Sequence, residues 1–203
     1  MTKNGYKAIV IGISAGGLAA LSKLFSFLPN GFPLPVIVVQ HVAATSNRFI
    51  YTLFNNKCRL TIKEADDKEE IQAGFIYFAP PDYHLLIERD ETFSLSIDAK
   101  VNHSRPSIDV LFESAVYVWS SGLIGILMTG ANSDGAHGMR LIKEHGGLII
   151  AQDPKTAEYP VMPQSAIDTA RVDKILSIEG IGEWLRDDLV HLTRDVKNES
   201  RSG

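Results

Sequence analysis

Short runs of consecutive apolar residues alternate along this chain with stretches where apolar residues return every three or four positions. Residues 7–13, K-A-I-V-I-G-I, and 35–41, P-V-I-V-V-Q-H, are rich in β-branched residues without polar alternation. That pattern predicts strands buried on both faces. L-I-G-I-L-M-T-G (123–130) and G-L-I-I-A-Q (147–152) read the same way. Leu18, Leu21, Leu24, Phe25 and Leu28 fall at helical spacing and predict an amphipathic helix before Pro29 and Gly31. Further helices are predicted near 46–55, after Ser107, around 139–144 ending at Gly146-Gly147, and within P-V-M-P-Q-S-A-I-D-T-A. Ser107 suits an N-cap and Asp109 suits the first turn of its helix. Ile181, Trp184, Leu185, Leu189 and Leu192 share one last helical face. Between Gly74 and Ile97, short runs separated by P-P-D and R-D-E predict antiparallel strands or hairpins. Strands alternating with helices require crossover connections. The expected fold is α/β: a doubly wound, mostly parallel sheet with helices on both faces and an antiparallel hairpin appendage.

The length, 203 residues, and the absence of a repeat or long linker predict one domain over 1–203, its core about 7–190, with 197–203 a frayed tail. A net charge of −4 argues against nucleic acid as the partner. No apolar run approaches the roughly 18–20 residues of a membrane span, and no signal peptide is visible, so a cytoplasmic location without membrane insertion is expected. The single cysteine, Cys58, excludes an internal disulfide and reads as an incidental thiol. Residues 1–63 contain no Asp or Glu but carry Lys3, Lys7, Lys23, Arg48, Lys57, Arg59 and Lys63. This is either a solvated basic face or an attraction for an acidic partner.

In a parallel sheet, chemistry gathers beyond the carboxyl ends of the strands. Ser14, His41 and Asp134 each follow a predicted strand. A serine nucleophile needs a base, and the base needs a group to fix its tautomer. Dinucleotide binding is the competing reading of Gly12, Ser14 and Gly17, but it lacks the middle glycine. It also lacks the ribose-binding acid about 20 residues on, since the first acid is Glu64. G-I-S-A-G instead fits the nucleophile-elbow pattern G-x-S-x-G. His84, His103, His137, His145 and His191 read as surface or hairpin residues without metal-type spacing, His137 being the nearest rival to His41. T-G-A-N-S-D-G reads either as a turn or as a loop presenting Asp134 to a histidine. No cofactor and no metal is expected.

Six motifs occur in order: I-G-x-S-x-G-G, Q-H, A-P-P-D-Y-H-L, R-P-S-x-D-V-L-F, T-G-x-x-x-D-G-A and M-P-x-x-A. Together they resemble the catalytic domain of the chemotaxis protein-glutamate methylesterase (CheB) family, from about residue 7 to 190. The resemblance implies a catalytic triad of Ser14, His41 and Asp134, oxyanion donors in the backbone N–H groups of Ala15 and Ala131, and substrate-site walls at Met162 and Pro163. It implies hydrolysis of methyl esters on glutamates of chemoreceptor cytoplasmic helices, and deamidation of certain glutamines. Two departures are visible. Ala15 stands where the family often has Thr, and T-G-A-N-S-D-G replaces T-G-M-G-x-D-G. Six residues before the first strand leave no room for a receiver domain, so regulation by phosphorylation in cis is not expected. A non-catalytic receptor- or signalling-protein-binding module, or an esterase for another substrate, are the alternatives.

Overall fold

The computed structural model describes residues 5–41, 54 and 58–189. Seven strands form one parallel sheet: β1 (Ala8–Ile13), β2 (Val36–Gln40), β3 (Thr61–Glu64), β4 (Phe75–Phe78), β7 (Leu123–Leu127), β8 (Leu148–Gln152) and β9 (Lys174–Leu176). Their order is β3-β4-β2-β1-β7-β8-β9, every pairing parallel. β5 (His84–Ile87) and β6 (Phe93–Ser96) form a separate antiparallel hairpin. The helices are α1 (Gly17–Phe25), α2 (Ile108–Trp119), α3 (Ala136–Glu144), α4 (Val161–Thr169) and α5 (Ile178–Trp184), followed by a wider-turned segment, Leu185–Leu189. The doubly wound fold expected from the sequence is the one observed.

All six residues of β1 are buried. Ala8 and Val10 face one core, under α2, α3, α4 and the hairpin; Ile9, Ile11 and Ile13 face the other, under α1 and α5. Burial on both sides is why the run shows no polar alternation, and each such side chain contributes about 1.5–3 kcal/mol relative to exposure.

Three readings are corrected. F-I-Y-F does not belong to the hairpin: β4 pairs in parallel with both β2 and β3, through Ile76, Tyr77 and Phe78. Two strands were not expected, β3 and β9, and both are short, half-exposed edges. Ser107 precedes α2 in extended backbone, but its side chain does not cap that helix. The helix predicted at 46–55 lies outside the described residues except Phe54, which is helical and buried. Leu192 and the 197–203 tail also lie outside them.

Gly12 is required by packing. A Cβ there would stand 2.4 Å from Ile108 Cγ2 and 2.7 Å from Leu127 Cδ1. The first residue of α2 thus lies directly against the end of β1. Gly12→Ala should cost about 1–3 kcal/mol through overpacking, read as a lower urea midpoint at unchanged slope; an unchanged midpoint would refute the close fit.

Candidate active site

The chain runs from β1 toward β2 on one side and resumes at β7 on the other. The crevice of a doubly wound sheet opens at such a reversal, beyond the carboxyl ends of the strands. Ser14, His41 and Asp134 all lie on that edge. Ile13 and Gln40 are register partners, and His41 N–H donates to Ile13 O at 3.0 Å. Ser14 and His41 are therefore the next residues on adjacent strands, about one strand spacing (~4.8 Å) apart along the backbone.

After Ser14, Gly16 turns the chain with φ +76°, a left-handed conformation, and α1 begins at once. No acid lies in the first turn of α1 and no side chain caps it. Its positive end lies beside Ser14, with the Glu158 carboxylate from the segment before α4 standing against Gly16. Thr129 stitches the surrounding loops together. Its carbonyl accepts from Ser14 N–H at 2.9 Å, its hydroxyl donates to Ala15 O at 3.0 Å, and Tyr159 N–H donates to that hydroxyl at 3.0 Å. The backbone N–H groups of Ala15 and Ala131 have no hydrogen-bond partner among the described residues. Met162 is fully buried beneath Gly130, whose carbonyl accepts its N–H at 3.0 Å, and Pro163 is buried beside it. Met162 holds the loop from below, while Tyr159 and Val161 are exposed.

Asp134 is completely buried. His41 Nε2 lies 2.8 Å from its Oδ2, which also accepts from Ile108 N–H at 2.7 Å. Oδ1 accepts from Ser107 Oγ at 2.9 Å, Asn102 Nδ2 at 2.9 Å and Asp109 N–H at 3.2 Å. The carboxylate thus caps α2 from another loop, in the position the sequence assigned to Ser107. Ser107 caps nothing because its hydroxyl donates to Asp134. Burial raises the Asp134 pKa, but the bonds from His41, Asn102 and Ile108 N–H outweigh it and hold the carboxyl below its usual value. Asp109 returns the arrangement. Its Oδ1 accepts from Gly138 N–H at 2.8 Å, in the first turn of α3, and its Oδ2 accepts from Asn102 at 2.8 Å. Burial pushes the Asp109 carboxyl up, assisted by the nearby Asp134 charge.

Asn102, Asn132, Ser107 and Thr129 were not singled out as site residues in the sequence. Asparagine in a turn normally reports only local backbone geometry, and Asn102 does sit in a left-handed conformation, φ +50°. His137 is exposed and bonded to Arg140, and it reaches this network only through its charge on Asp109. His84 is buried in β5, accepting Ser107 N–H at Nδ1 and donating from Nε2 to Ala99 O, a role in holding the fold. Cys58 is half-buried, and burial pushes its thiol pKa up, away from nucleophilic use. No group of three or more His, Cys, Asp or Glu able to hold a metal occurs among the described residues. A cavity of about 210 Å³ opens beside Gly16, lined by Lys23, Thr129, Gln152, Glu158 and Ile178. That is below the roughly 300–1,000 Å³ of typical ligand clefts and too small for a dinucleotide.

A buried carboxylate thus holds a histidine one strand away from a serine at a glycine-rich strand-to-helix turn, on the crevice edge of a doubly wound α/β sheet. The CheB methylesterase family model matches residues 9–185, and the chain belongs to that family. A Leptospira interrogans relative is 54% identical over 178 residues, covering 88% of this chain and 92% of its own. A Thermotoga maritima protein-glutamate methylesterase/protein-glutamine glutaminase is 35% identical over 182 residues, 88% of this chain and 53% of its own. This chain therefore spans about half of that relative. The crystal structure of the Thermotoga maritima CheB methylesterase catalytic domain superposes with a TM-score of 0.84 at 33% identity, covering 93% of this chain and 99% of that one.

Proposed function

We propose that this protein is a serine hydrolase that removes methyl esters from glutamate side chains of chemoreceptor cytoplasmic helices and deamidates receptor glutamines. The observation that carries the reading is the 2.8 Å His41–Asp134 contact, on a histidine that follows β2 next to the serine that follows β1. Ser14 Oγ attacks the ester carbonyl as His41 Nδ1 takes its proton. Asp134 holds the Nε2–H and stabilises the imidazolium. The N–H groups of Ala15 and Ala131 receive the oxyanion. Methanol leaves with the proton from His41, and water then hydrolyses the acyl-enzyme by the reverse path. No step requires a metal or cofactor.

Seven strands joined in one sheet support reading about 7–190 as a single catalytic domain. Exposed Leu18, Tyr159 and Val161, on α1 and the segment running into α4, supply an apolar rim suited to a protein substrate. The basic N-terminal third is a weaker guide to the partner, because Lys23 pairs with Glu179 and Lys63 with Asp66 and Glu69. No helix among the described residues is long and apolar enough to cross a membrane.

The test is methanol release from methylated receptor membranes. Release above the enzyme-free rate is expected. Tight receptor binding without release would favour a binding module instead. Hydrolysis of small esters with none from receptors would favour a different substrate.

A further inference from the structure

We propose that Asn132 is a positioning residue for the His41 base, fixing the tautomer that carries the lone pair on Nδ1. The proposal rests on the reading of His41 as the base, and it starts from hydrogen-bond chemistry. Asp134 N–H donates to Asn132 Oδ1 at 3.1 Å. A backbone N–H can only donate, so that oxygen is fixed as the acceptor. The other end of the amide, Nδ2, then faces His41 Nδ1 at 3.4 Å. An amide nitrogen can only donate, so Nδ1 must carry a lone pair, and the ring proton sits on Nε2 toward Asp134. Asn132 and Asp134 thus select the same tautomer from opposite sides of the ring. The two ring nitrogens face Asp134 and Asn132, and Ser14 Oγ is not among their hydrogen-bond partners.

When Nδ1 accepts the Ser14 proton, an N–H of the ring points at an N–H of the amide, and the Asn132 bond is lost. Asn132 therefore favours the resting ring over the protonated one. The charged surroundings do not supply the same effect. Asp134 faces Nε2 rather than Nδ1, Asp109 lies behind it across Asn102, and His137 stands beyond Asp109. Glu158 approaches from the segment before α4 and lies against Gly16. The family pattern T-G-M-G-x-D-G has glycine where this chain has Asn132, and glycine has no side chain to make the contact.

The experiment compares the protein with its Asn132→Gly and Asn132→Asp variants. It reads kcat/KM against pH, thermal midpoints, and the ¹⁵N resonances of the His41 ring in the free proteins. In Asn132→Gly the acid limb should move to higher pH by about 0.3–1 unit, the size of one neutral hydrogen bond. The plateau should rise about two- to tenfold, as Ser14 no longer competes for the lone pair. The Nδ1 resonance should move toward that of an unbonded ring nitrogen. Asn132→Asp puts an acceptor against Nδ1 and should move the acid limb further in the same direction. An unmoved limb and an unmoved Nδ1 resonance in Asn132→Gly would overturn the proposal. So would a lowered plateau with unchanged pH dependence, which is the signature of a purely structural residue. The ring resonances need no turnover, so they decide the Asn132 contact even if the methylesterase reading fails.

Discussion

Ser14→Ala is expected to lower methyl-ester hydrolysis by about 10⁴- to 10⁶-fold while leaving the thermal midpoint within a few degrees of the parent. The rate loss is large because the remaining parts act only together with the nucleophile. An imidazole with no hydroxyl to deprotonate and an oxyanion site with no tetrahedral intermediate retain only what binding and polarisation supply. The fold should persist because Ser14 joins the structure through its backbone. Its N–H donates to Thr129 and its carbonyl accepts from Gly17 N–H, and alanine keeps both. Steady-state turnover alongside a melting curve checks both halves. Turnover within tenfold of the parent would remove Ser14 from the mechanism.

Asp134→Asn is expected to fail in both respects, with a rate loss of about 10³–10⁴-fold and a stability loss of about 2–5 kcal/mol. The two carboxylate oxygens accept five hydrogen bonds. An amide offers one oxygen and one NH₂ group. If the oxygen stays with Asn102, Ser107 and Asp109 N–H, the NH₂ faces His41 and Ile108 N–H. The ring must then accept at Nε2 and carry its proton on Nδ1, where it cannot serve as a base. If the amide is reversed, the Asn102 and Asp109 N–H groups are left facing a donor in a dry site, and only the Ser107 hydroxyl can turn to accept. The pH dependence has a definite sign. The Asp134 pKa is lowered in the folded protein, so the stability it lends is complete above its unfolded value of about 3.9. That stability is lost as pH falls through the folded value. The gap between the melting temperatures of parent and variant should therefore narrow between pH 5 and pH 2. A constant gap would mean that the carboxylate charge contributes nothing.

What could be read in the sequence follows from what burial does to residue patterns. β1, β2, β7 and β8 are covered on both faces and show as unbroken apolar runs. β3 and β9 sit at the two edges of the sheet. T-I-K-E and K-I-L are half-exposed there, too short and too polar to rise above loop composition. β4 was drawn into the hairpin because the P-P-D turn beside it resembles a hairpin connection, whereas its partners, β2 and β3, precede it in the chain. That Ser14, His41 and Asp134 share one edge is legible because strand ends in a parallel sheet converge there. The residues that hold them are not. Asn102 and Asn132 look like ordinary turn residues until the chain closes, and Ser107 looked like a cap because it stands at a helix start. Only the folded chain reveals that the capping oxygen comes from Asp134.

The crossed arrangement of Asp134 on α2 and Asp109 on α3 gives the aspartate two employers. A descendant of this protein that abandoned hydrolysis would be free to lose Ser14, whose side chain supports nothing else described here. It would still be held to Asp134, because the joint between the two helices depends on that carboxylate whether or not a substrate ever arrives. An intact aspartate in a related sequence therefore reports a sound fold, and by itself says nothing about turnover.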